Sequence, residues 1–218
     1  MVALLVVSMI IICLVIDYFV KRSQQRAIAA EPAKPAFAHK LALPGGYFLS
    51  KAHTYAQLLF SGKVRVGIDE FIANLIGTAD SIEVVAIGSS VRKGEILFSL
   101  QQGDRTLHFR APISGKIVSI NELIAEDKAR LAADPYMGGW VVAIEPKNLA
   151  AEVGTLSLAE EAADWLKNEL NRFRDFLTAA NTQPAYATML DGGMPAKGAL
   201  QHLDAATWDK FEKEFLAK

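Results

Sequence analysis

With 218 residues, 51% of them hydrophobic, the chain can bury a full-sized core without covalent staples. Its 23 basic and 24 acidic side chains leave a formal net charge of -1, which gives no long-range field to recruit nucleic acid. A single cysteine, Cys13, excludes a disulfide framework and a Cys-rich metal site. His39, His53, His108 and His202 fall at no metal-ligand spacing and read as surface or half-buried histidines.

Residues 1–20, "MVALLVVSMIIICLVIDYFV", are almost wholly aliphatic over the length that crosses a bilayer core, and predict an uncleaved transmembrane helix. "KRSQQR" follows at once, so the excess of positive charge places the rest of the chain in the cytoplasm. The expectation is a single-pass protein of the cell inner membrane, amino terminus outward. Asp17 is the one ionisable group in the span. It is a candidate contact to a membrane partner, although its spacing from Lys21 also suits an interfacial pair. Residues 21–46 form a linker whose latter part is rich in Ala and Pro and lacks sustained periodicity.

Short β-type runs occupy 47–150: "KVRVGI", "IEVVAI", "EILFSL", "TLHFRA", "GKIVSI" and "WVVAIEP". Such close spacing argues a small sandwich or barrel. Two helices are expected among the strands, over Asp69 to Gly77 and over Asn121 to Ala132. Within "SLQQGDRTLHFRAPISG", Ser99 to Gly115, polar Gly103, Asp104 and Arg105 separate two apolar runs, which predicts a hairpin with those three residues at its tip. Residues 151–218 read as a helical extension. A strong amphipathic helix over Ser157 to Ala180 takes Ser157 as its cap, and a terminal helix carries Trp208, Phe211 and Phe215 on one face as candidate partner contacts.

Four stretches, in order, resemble the glycine cleavage H-protein family, a lipoyl-type fold. "HTYA" at His53 to Ala56 is similar to that family's His-x-Trp segment, with Tyr55 in place of tryptophan. "KVRVGIDEF" is similar to its Val-Gly-Ile strand, "APISG" to the strand after its lipoyl hairpin, and "DPYMGGW", Asp134 to Trp140, to its Asp-Pro-Tyr-Gly-x-Gly-Trp. The resemblance implies a mainly β barrel-sandwich hybrid at 47–150, joined to the transmembrane helix and the carboxy-terminal helices. It also implies structural duty for Gly67, Gly115, Gly138, Gly139 and Pro112, at turns or close approaches.

The same resemblance places the family's lipoyl lysine seven residues before Ala111, where this chain has Asp104. Arg105 stays protonated and accepts no acyl group, and Lys93 and Lys116 lie at the hairpin's other end. The expected function is therefore an unlipoylated docking subunit of a membrane-associated complex, a redox complex being one candidate. Its partners are lipid and protein, with no cofactor and no metal. The alternative is a carrier modified at Lys93 or Lys116 that serves a membrane-associated oxidoreductase or one-carbon system. An enzyme is not expected, because no nucleophile arrangement, phosphate-cradling loop or metal cluster is present. Periplasmic membrane fusion proteins also carry unmodified lipoyl-like domains, but the basic flank argues for the other side of the membrane.

Overall fold

The computed structural model of the chain describes residues 44–180 and 195–217. The expected transmembrane helix, Asp17 and all but the last residues of the linker lie outside them. Among the described residues, no helix is long and apolar enough to cross a membrane.

Ten strands follow one another as β1 (Tyr47–Leu49), β2 (Thr54–Leu58), β3 (Val64–Ile68), β4 (Ser81–Val84), β5 (Ser90–Val91), β6 (Ile96–Gln102), β7 (Arg105–Arg110), β8 (Gly115–Ile120), β9 (Val142–Pro146) and β10 (Ser157–Leu158). Seven pair antiparallel in the order β10-β1-β2-β3-β9-β8-β5, and a second sheet has the order β4-β6-β7. The alternation in β3 and β7 is what a half-buried strand requires: Val64 and Val66 of β3, and Leu107 and Phe109 of β7, point into the core.

Helix α1 (Glu70–Ile76) starts where Asp69 accepts the Ile72 N–H at 2.9 Å, and stops at Gly77, whose φ is 73°. The helix expected over 121–132 is two short ones, α2 (Glu122–Glu126) and α3 (Arg130–Ala133). Asp127 divides them by turning extended, with its N–H still bonded to the Leu123 carbonyl. A short α4 (Leu149–Val153) precedes β10. Ser157 is not a helix cap: it pairs with Leu49 in β10, and α5 (Ala159–Ala179) begins two residues later without a side-chain cap.

The terminal segment comprises a 3-10 turn (Ala199–His202), α6 (Ala205–Phe211) and a π-helical turn (Glu212–Leu216). Trp208, Phe211 and Phe215, expected to meet a partner, are buried in the chain's own core. Phe211 and Phe215 pack on α5, and Trp208 on the start of β7. Phe211 and Phe215 stack at 4.9 Å, Phe173 meets both edge-on at 5.8 and 5.9 Å, and Phe71 meets Phe173 at 5.8 Å. Strands and extension thus share one hydrophobic cluster, with no break at residue 150.

Candidate functional site

The β6–β7 hairpin ends in a two-residue turn, Gly103-Asp104, closed by the pair Gln102 and Arg105. Glycine is needed at the first turn position because φ there is 60°. The tip is tied down on both flanks. On one, the Gly103 N–H donates to Asp80 Oδ2 at 2.6 Å, and Gln102 Nε2 donates to the carbonyls of Ile76, at 2.9 Å, and Thr78. On the other, Arg105 donates to the Leu203 carbonyl and lays its guanidinium over the Trp208 ring.

Further down the hairpin, Glu212 Oε1 accepts from the His108 backbone N–H at 3.0 Å and lies 2.6 Å from its Nδ1. The exposed edge of β7 is therefore covered by the terminal helices, which removes a free template for strand pairing. Asp104 is exposed, at the rim of a cleft of about 450 Å³ that Asp80, Gln102, Arg105 and Trp208 also line.

Neither displaced lysine reaches this tip. Lys93 lies at the foot of β6, its backbone N–H bonded to Ser114 Oγ and its Nζ to Thr155 Oγ1. Lys116 sits on β8 opposite Ser90 and Glu145. The seven residues of β6 separate the foot from the tip by about 20 Å, at roughly 3.3 Å per residue.

A second constellation, with no periodic signature in the sequence, lies in the core. His53 is fully buried, contrary to the surface or half-buried position expected of it. It occupies the left-handed region at φ 59° and meets Asp69 twice: its carbonyl accepts the Asp69 N–H at 3.1 Å, and its Nδ1 donates to Asp69 Oδ2 at 2.7 Å. A carboxylate only accepts, so Nδ1 carries the proton. Nε2 faces Glu169 Oε2 at 3.8 Å. Glu169 in turn accepts from Arg172 Nη1 at 2.6 and 2.8 Å, and the Arg172 guanidinium lies 4.1 Å from the Phe215 ring centre. Burial alone pushes the His53 pKa down, but Asp69 and Glu169 together outweigh it and hold the imidazole above its usual range.

Three of the stretches singled out by resemblance, around Tyr55, Gly67 and Tyr136, converge on one another. Tyr55 is wholly buried, its hydroxyl donating to the Pro135 carbonyl at 2.7 Å, and its ring meets Tyr47 at 5.2 Å and Tyr136 at 5.5 Å. A Cβ on Gly67 would come within 2.6 Å of that hydroxyl, and one on Gly115 within 2.3 Å of the Glu145 carbonyl. Neither glycine has a positive φ, so both are required by close approach. Burial raises the Tyr55 and Tyr136 phenols far above the ordinary range, and they act as neutral packing groups.

A family model for "Glycine cleavage H-protein" matches residues 47–169. The chain belongs to the glycine cleavage H-protein family. It is 33% identical over 123 residues to a probable glycine cleavage system H protein of Pyrococcus abyssi, covering 56% of this chain and 91% of that one. Identity to a glycine cleavage system H protein of Coprothermobacter proteolyticus is also 33%, over 53% of this chain and 91% of the relative. The crystal structure of a glycine cleavage system H protein from Mycobacterium marinum superposes with a TM-score of 0.50 at 26% identity, covering 58% of this chain and 99% of the other. The H-protein match extends past the expected boundary at 150 and takes in about the first half of α5. It ends before Leu203, Trp208 and Glu212, the residues that hold the hairpin.

Proposed function

We propose that this chain is an unlipoylated H-protein-type subunit, anchored in the inner membrane by residues 1–20, that docks other proteins on the cytoplasmic side and catalyses nothing itself. The observation that carries the reading is the hairpin tip. A carrier arm has to present an acylatable amine and be free to deliver it; here the turn is Gly103-Asp104, and Asp80, Leu203 and Trp208 hold its flanks. The residues that pin it come partly from beyond the family match, so the extension turns an arm into part of a rigid surface.

The membrane part of the proposal rests on the apolar run at 1–20 and the basic cluster Lys21 to Arg26. A carrier of lipoyl or another acyl group on Lys93 or Lys116 is the alternative that membership of the H-protein family leaves. It is disfavoured by the strand length between those lysines and the tip.

Intact-mass measurement of the protein purified from its own host tests the central claim. The mass of the unmodified chain is the expected result, and a lipoyl adduct overturns the proposal. A reporter fused to the carboxy terminus and active only outside the cytoplasm overturns the orientation.

A further inference from the structure

The turn between β2 and β3 carries three consecutive apolar residues, Leu58, Leu59 and Phe60, followed by Ser61, Gly62 and Lys63. Leu58 is nearly half exposed and Phe60 entirely so, beside an exposed Lys63. The turn is fixed by two backbone bonds of 2.9 Å, from the Leu59 N–H to the Lys63 carbonyl and from the Gly62 N–H to the Leu59 carbonyl. A rigid turn therefore keeps a whole aromatic ring in solvent, where it contributes nothing to the core.

The point at which the chain enters the described domain lies at the same end of the sheet as this ring. Tyr47 pairs with Gln57, so Pro44 to Gly46 run beside the Leu58 end of β2. The chain that carries the apolar run 1–20 and the basic cluster Lys21 to Arg26 joins the described domain at Pro44, at the same end of the sheet as Phe60. We propose that the Leu58–Lys63 turn dips into the bilayer interface, with Phe60 and Leu58 at the acyl-chain boundary and the Lys63 ammonium among lipid phosphates. This rests on the membrane-anchored reading above. A tether makes the contact intramolecular, so one aromatic and one leucine suffice where a free domain would need a larger apolar face. The turn then orients the domain: β3 and β8 run away from it, and α2, following Ile120, faces the solution.

The test uses the full chain, with Cys13→Ser, in vesicles of phosphatidylcholine and phosphatidylglycerol. A nitroxide is placed at Phe60→Cys or, as the far-end control, at the half-exposed Leu123→Cys. Collisional access of oxygen exceeding that of a water-soluble nickel complex several-fold at position 60, and the reverse at 123, is the expected result. Nickel access at 60 matching that at 123, in a chain that alkaline carbonate leaves in the vesicles, overturns the docking while the anchor stands. Loss of access to both reagents at 60 marks a protein contact and equally overturns it. Release of the chain by carbonate, with nickel access at 60, overturns anchor and docking together.

Discussion

The guanidinium of Arg105 lies 5.3 Å from the centre of the Trp208 ring, so the residue beside the hairpin turn is held by a helix that the family match does not include. The same side chain donates to the Leu203 carbonyl. Replacing it with alanine removes a cation–π contact and a charge-assisted hydrogen bond, at an expected cost of about 1–2 kcal/mol. The effect should be local. Amide hydrogen exchange across Gln102 to Thr106 is expected to quicken in Arg105→Ala while exchange in β3 and β9 stays at its original rate, and uniform acceleration would refute the local pinning.

The missing amine can be restored at Asp104, which is exposed and has a negative φ that any residue adopts. Asp104→Lys, incubated with a lipoate ligase, is expected to gain a lipoyl group slowly, because the pinned tip presents its lysine in a fixed cleft. The double variant with Arg105→Ala should gain it faster. Mass spectrometry over a time course reads both rates, and equal rates would show that the extension does not restrain the arm.

Much of the hairpin is legible in the residues themselves. Gly103 and Asp104 satisfy a two-residue turn, and β7 alternates cleanly into Ala111. The extension is legible only in part, since the spacing of Trp208, Phe211 and Phe215 encodes a helical face but not what covers it. Phe173 and Phe176 cover Phe211 and Phe215, and Arg105 of the hairpin covers Trp208, all on other elements that no local pattern specifies. His53 is harder still: it sits in a turn, and the partners that make it a core residue, Asp69 and Glu169, lie on two separate helical segments. Ser157 misleads for a simpler reason, because a serine before an acidic run serves an edge strand as readily as a cap.

Tyr55 and Gly67 form a pair that a double-mutant cycle can resolve. Tyr55→Phe strands the buried Pro135 carbonyl and is expected to cost about 1–3 kcal/mol. Gly67→Ala drives a methyl against the Tyr55 hydroxyl, 2.6 Å from where its Cβ must sit, at a further cost of about 1–3 kcal/mol. The two penalties should be less than additive, because removing the hydroxyl relieves part of the clash, although the ring carbon at 2.8 Å remains. Urea unfolding of the four proteins gives the coupling energy directly, and strict additivity would show that the two sites relax independently.

The buried His53 makes stability depend on pH in a definite direction. Asp69 and Glu169 raise its folded pKa above the unfolded value of about 6.5, in spite of complete burial. A group whose pKa is raised by folding binds its proton more tightly in the folded state. Its contribution is therefore fully present below about pH 6.5 and lost as pH climbs through the folded pKa. Loss of that proton leaves Asp69 hydrogen-bonded to a neutral ring but removes the cation that faces Glu169, which keeps its pair with Arg172. Asparagine suits the test substitution because it tolerates the φ of 59° at this position and does not titrate. Denaturant unfolding of the unsubstituted chain should show stability falling above about pH 6.5. His53→Asn should be less stable at about pH 6 and flatter over the same window. Parallel profiles for the two proteins would mean that folding leaves the imidazole's pKa unchanged, and a stability that rises with pH relative to His53→Asn would mean that the fold holds the ring neutral.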